Sequence, residues 1–230
     1  LEALRRLIDV REACGEHAES ATLYRRELDI LGDDETTNAR RREIWLRLAT
    51  LAADSLDAPG DAIDAYCAAA DLDRLSAPDE LRLARLYEAQ EDGVAFCTTF
   101  GRWCDRDDGA ATIADHLELA RTLVDRNEAD DARARCERAT TVDPESAPAW
   151  RLRAELDREA GRLDGAAEAF ERAADHAPDD QAAADCVAAA ACVEGTDVAA
   201  AYALLQRATD LDPASLEAHA ALTRVSAEQD

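Results

Sequence analysis

The residues of this chain best suited to metal or nucleophilic chemistry are four histidines and seven cysteines. Cys14 and His17, within "CGEH", have the nearest thing to a metal-ligand spacing. One such pair supplies two ligands where a structural zinc site needs four, so the stretch reads as a turn carrying an exposed histidine. Carboxylates are so abundant that adjacent pairs such as Asp107 and Asp108, or Asp130 and Asp131, say nothing about acid–base catalysis; they read as solvated loop residues. The stretch "DRDDG" lacks the alternating ligands and terminal glutamate of a calcium loop. There is no phosphate loop, no G-x-S-x-G, no H-E-x-x-H and no paired C-x-x-C. No histidine stands near a cysteine or serine in a catalytic arrangement. The expectation is no enzyme, no metal and no cofactor.

The elements that would have to position such residues are helices. The chain has 230 residues, is rich in alanine and only 4% aromatic, with few runs of Val, Ile or Thr. The cysteines are odd in number, irregularly spaced and set mostly in apolar helical positions. They read as reduced, small hydrophobic residues, which points to a reducing, cytoplasmic compartment. No apolar run approaches the roughly 18 residues of a membrane span, and no signal-like segment opens the chain. A start already in helical register and an end within another helical pattern are expected of a piece of a longer polypeptide.

Acids outnumber bases 51 to 26, for a net charge of −25, and every base is arginine. That excess repels phosphate backbones and anionic lipid, so neither nucleic acid nor membrane is an expected partner. It also keeps an alanine-rich protein soluble, as a high-salt cell would require.

Prolines at 144, 178 and 213 are spaced by one near-constant period. Periods of roughly 20 to 50 residues mark stacked repeats. Trp150, Ala154, Ala166, Phe170, Ala173 and Pro178 fall at positions 4, 8, 20, 24, 27 and 32 of a unit starting at 147, an arrangement that resembles the tetratricopeptide repeat. The resemblance extends over units 1–34, 42–76, 77–112, 113–146, 147–180 and 181–215, with a partial unit at 216–230. Unit 42–76 places Trp45, Leu48, Ala49, Ala62, Tyr66 and Ala69 in pattern; unit 181–215 places Val187, Ala188, Ala201, Leu205 and Ala208, with one extra residue near "EGTDV". Unit 77–112 carries Phe96, Phe100 and Trp103 where small residues are usual, so its helix pair is expected to open or lean. Arg153 stands where leucine is usual and Asp157 where an aromatic is usual. A polar insertion, "DDETTNAR", separates the first two units.

The resemblance implies an all-α, right-handed superhelix of about six helix pairs plus a terminal helix, read as a single solenoid over 1–230. Small residues at 8, 20 and 27 let helix axes approach, and a bulky residue at 24 fills the space between units. Proline ends each second helix, and the Ser or Asp near it can cap the next. His116 and His219 share position 4 with the tryptophans, which implies packing; His176, at a helix C-terminus, complements the helix dipole.

In this family, positions 2, 5, 9 and 12 of the first helices face a concave groove. Carried onto this chain they select Leu81, Arg85, Leu117, Arg121, Val124, Arg151, Glu155, Arg158 and Arg224, together with Glu88, Asp185 and Glu217. The implied function is a scaffold binding a protein or peptide with apolar and acidic groups, with Arg121, Arg151 and Arg158 as fork donors. Alternatively those arginines pair with neighbours such as Glu118 or Glu155 and stabilise the stack, in a structural spacer or regulatory segment of a larger protein. One family subset clamps chaperone tails with lysines and asparagines; this chain has no lysine, and neither Asn38 nor Asn127 is suitably placed.

Overall fold

The computed structural model describes residues 1–106 and 109–229, with the side chains of 228 and 229 set aside. Asp107 and Asp108 therefore lie outside the described residues. Thirteen α-helices and one 3-10 turn make up the regular structure among the described residues. They divide into two compact units, Leu1–Ala110 and Ala111–Asp230.

The first unit holds three helix pairs: α1 (Glu2–Ala13) with α2 (His17–Leu31), α3 (Asn38–Asp54) with α4 (Pro59–Leu72), and α5 (Ala77–Ala89) with α6 (Gly93–Cys104). Loops this short force the paired helices antiparallel. The reversal between α1 and α2 requires a left-handed residue, which Gly15 supplies at φ 73°. The polar insertion is partly folded. Asp34 accepts a hydrogen bond from the Thr36 amide at 2.9 Å and caps a 3-10 turn, Glu35–Thr37, and α3 begins at Asn38, four residues before the expected unit boundary at 42.

Positions 8, 20, 24 and 27 of the second repeat, namely Ala49, Ala62, Tyr66 and Ala69, are all fully buried, so alanine sets the helix spacing as its size dictates. In α6 the large rings stack: Phe96 on Phe100 at 5.1 Å and Phe100 on Trp103 at 5.4 Å between centroids. All three are buried, and the Arg85 guanidinium sits 4.8 Å above the Phe100 ring.

The second unit holds α7 (Ile113–Asp125), α8 (Ala129–Val142), α9 (Ala147–Glu159), α10 (Leu163–His176), α11 (Asp179–Val193), α12 (Val198–Leu211) and α13 (Leu216–Gln229). Helices α8, α10 and α12 end two residues before Pro144, Pro178 and Pro213 respectively, where a missing amide stops the ladder. Thr112 and Asp115 form a reciprocal capping box on α7, and Ser215 accepts from the Ala218 amide at 3.2 Å ahead of α13. Ser146 makes no such side-chain cap. Ala154, Ala166, Phe170 and Ala173 form the buried seam of α9 and α10. In α11 the buried face is turned. Ala188, expected at the tight position 8, is half-buried, while Cys186 and Ala189 are fully buried and Asp185 is 3% exposed.

Candidate interaction surface

The histidines and cysteines do not converge. Among the described residues no group of three or more His, Cys, Asp or Glu is placed to hold a metal ion. Cys14 is exposed, and His17 opens α2. Trp150 donates its indole N–H to the Pro144 carbonyl at 2.8 Å, and His219 Nε2 lies 3.0 Å from the Pro213 carbonyl. At position 4 these two side chains thus tie the first helix back to the preceding proline turn, Trp150 half-buried and His219 exposed. His116 is buried, 4% exposed, and His176 is exposed at the end of α10.

The repeat period reappears in the ion pairs. Arg47 of α3 grips both oxygens of Glu12 in α1 at 3.0 and 2.9 Å, and Arg82 of α5 grips both oxygens of Asp54 in α3 at 2.5 and 2.7 Å. Arg151 of α9 reaches Asp185 of α11 at 2.7 and 2.6 Å, and Arg224 of α13 pairs with Glu194 at the end of α11. Each pair joins the first helix of one repeat to the first helix of the next. The Arg151 fork is occupied in this structure by a carboxylate one repeat away rather than by Glu118 or Glu155.

Other predicted groove residues fall into distinct environments. Leu117 is buried, 7% exposed, against Ala139 and Ala149, so its side chain belongs to the core and is not available to a ligand. Arg121 and Val124 are exposed on α7. Glu155 is half-buried, and Arg158 is exposed with its guanidinium 5.5 Å from the Phe170 ring centroid. Leu81 and Arg85 are half-buried on α5, where Arg85 also pairs with Glu88 at 3.0 Å. Glu217 is exposed on α13.

Two buried carboxylates carry denser networks. Glu27, fully buried, receives Arg5 at 2.6 Å and Arg40 at 2.9 Å. Asp157, 1% exposed, receives Arg133 at 2.6 Å and Arg162 at 2.7 Å, with Arg153 at 3.7 Å. Burial works to raise both carboxyls, but the arginines outweigh it and hold both below the ordinary carboxylate range. The two departures from the repeat pattern, Arg153 and Asp157, are thereby one feature: they face each other four residues apart on α9. Burial pushes the Cys136 thiol up to about 12, which removes it from nucleophilic chemistry near neutral pH.

Open clefts lie between neighbouring first helices. In the first unit a cleft of about 490 Å³ runs between α3 and α5, lined by Ala53, Asp54, Pro78, Leu81, Arg82, Arg85 and Leu86, with Tyr66 of α4 as its floor. In the second unit a cleft of about 410 Å³ lies between α11 and α13, with Leu205 of α12 at its floor and Glu194, Glu217 and Arg224 at its rim. Tyr66 and Leu205 both hold repeat position 24. Leu81 and Arg85 were legible from the repeat positions, whereas Asp54, Tyr66 and Arg82 were not. Only the interhelical pairing reveals their place in the cleft, since position 24 by itself assigns Tyr66 to packing.

A tetratricopeptide-repeat profile matches residues 117–181. No curated protein matches the chain in sequence. Among solved structures, YrrB, described as a TPR protein with an unusual peptide-binding site, superposes with a TM-score of 0.50 at 18% identity, covering 82% of this chain and 97% of its own. MamA protein superposes with a TM-score of 0.50 at 16% identity, covering 76% of this chain and 93% of its own. Repeat spacing, the small residues buried along the helix seams and the profile match identify tetratricopeptide repeats over 117–181, and the chain as a whole shares the helical-repeat fold of these solved structures.

Proposed function

We propose that the chain is a non-enzymatic interaction scaffold that holds a peptide or a partner subunit on the exposed side of its first helices. The carrying observation is the split along the first helices, seen in the alanines of α3, α5, α7 and α9 and in the outward residues of α5, α7, α9 and α13. Ala49, Ala84, Ala120 and Ala154 are fully buried in the stack, while Leu81, Arg85, Arg121, Val124, Glu155, Arg158 and Arg224 keep accessible surface of mixed apolar and basic character. In a chain of net charge −25, that composition favours a ligand with apolar and acidic groups over nucleic acid or anionic lipid. The similar YrrB is described as having a peptide-binding site, which is consistent with this use of the fold. No helix among the described residues is long and apolar enough to cross a membrane. The burial of Cys136, Cys186 and Cys192 as small apolar side chains is in keeping with a reducing, cytoplasmic setting.

Phage display of random dodecapeptides on the purified chain tests the reading. A scaffold enriches a consensus with acidic and apolar residues, and Arg121→Glu with Arg158→Glu abolishes that enrichment. Arg151 is unsuitable for charge reversal, because a glutamate there would face Asp185. The second reading, a structural spacer, draws on the occupied forks of Arg151 and Arg224. A chain that enriches no sequence supports it.

A further inference from the structure

The cleft between α3 and α5 differs from the cleft between α11 and α13 in two ways that concern a ligand. Its rim carries two arginines, Arg82 and Arg85, against one carboxylate, Asp54, whereas the α11–α13 rim carries one arginine against two carboxylates. Its floor is polar where the other is aliphatic: Tyr66 stands at the position of Leu205. The Tyr66 side chain is fully buried, yet its hydroxyl has no hydrogen-bond partner. Arg82 and Thr50 are near enough to influence its ionisation, but neither reaches bonding geometry with it. Thr50 directs its own hydroxyl to the Leu46 carbonyl. A buried hydroxyl without a partner is costly and rare in folded proteins, and one at the floor of a cleft is explained by a ligand that completes it. Burial keeps the phenol protonated and therefore a donor.

We infer that this cleft is an anchor subsite for a peptide segment in which an aliphatic residue is followed by an acidic one. The aliphatic side chain lies along Ala53, Leu81 and Leu86. The carboxylate competes with Asp54 for the Arg82 fork, and as Arg82 turns toward it the hydroxyl beneath donates to the same carboxylate. Asp54 and Arg82 are both half-exposed, so the exchange needs no core rearrangement. The open form of the cleft favours a segment of a longer chain over a free small acid, since small ligands are enclosed over most of their surface. The inference rests on the scaffold reading and names the ligand chemistry of one of its surfaces.

The test uses the chain carrying ring-13C tyrosine, in which four tyrosine signals are assignable by Tyr→Phe replacement. Three synthetic octapeptides, Gly/Ser-flanked around Leu-Glu, Leu-Gln or Ala-Glu, are titrated by NMR. The expected result is that the Leu-Glu peptide shifts the Tyr66 signal, and that Tyr66→Phe and either peptide change each weaken binding about tenfold. Asp54→Asn removes the competitor and strengthens binding several-fold. Equal binding of the three peptides, no binding by the unaltered chain, or unchanged affinity in both Tyr66→Phe and Asp54→Asn overturns the proposal. If a peptide selected by phage display is lost on Arg121→Glu with Arg158→Glu while Tyr66→Phe and Asp54→Asn are silent, the scaffold reading stands and this subsite falls.

Discussion

Arg151 holds Asp185 through two guanidinium nitrogens, at 2.7 and 2.6 Å, across the spacing of a single repeat. Asp185 is 3% exposed, so removing the arginine leaves a desolvated carboxylate with no opposite charge. Arg151→Ala is expected to cost ~2 kcal/mol in urea unfolding. The paired change Arg151→Met with Asp185→Leu should recover most of that loss, because an apolar contact of similar volume replaces the ion pair. A double variant as unstable as the single one would show that the pair does more than neutralise itself.

Acid should loosen the molecule through the same chemistry. Glu27 and Asp157 have folded-state values lowered from the usual 4.5 and 3.8, so as pH falls the unfolded chain takes up protons before the folded chain does. Their stabilisation is complete above that range and is lost as pH drops through the lower folded-state values. Asp157→Asn is expected to cost ~2–3 kcal/mol at pH 7 and to flatten the decline in stability between roughly pH 4 and pH 2. Chemical unfolding followed at several pH values checks both the offset and the slope.

Thiol labelling should divide the cysteines sharply. Cys14 is exposed and should react with a disulfide reagent at once in the folded protein, whereas Cys136, Cys186 and Cys192 are buried and have raised thiol values from that burial. These three should label only at the rate of opening. Mass spectrometry of early time points reports the order, and early modification at Cys136 would contradict the packing described for α8.

Small residues at the seams act by being small. Ala166 is fully buried where α10 meets α9, and Ala166→Leu is expected to destabilise by ~1–3 kcal/mol through overpacking, although leucine is apolar and an acceptable helix former. Exposed Ala203, on the solvent side of α12, should accept leucine with a change below about 0.5 kcal/mol. Thermal melts of the two variants make the comparison directly.

The sequence made the helix pairs legible because proline punctuation and alanine spacing are local signals. Pro144, Pro178 and Pro213 each fall just past a helix end, as the missing amide requires. Arg153 and Asp157 looked like two separate departures, yet their four-residue spacing is itself the mark of a helical ion pair, and that signal was available. Long-range pairing was not. Nothing local tells Arg151 to choose Asp185 over the nearer Glu155, because the choice follows from how neighbouring repeats lean. The turned face of α11 escaped for a related reason: in a run as uniform as "AAADCVAAAACV", alanines on every side leave the buried stripe to be selected by the neighbours. The Tyr66 cleft was hidden because a tyrosine at position 24 satisfies the packing pattern whether or not its hydroxyl finds a partner.

Guanidinium is the cation in every one of these clasps between repeats, since the chain contains no lysine. Acyl groups written onto lysine amines, the common covalent means of erasing positive charge in a cell, therefore find no substrate on these side chains. The cohesion of the stack is indifferent to that layer of signalling, and a covalent change that reached these clasps would have to act on their guanidinium or carboxylate groups instead.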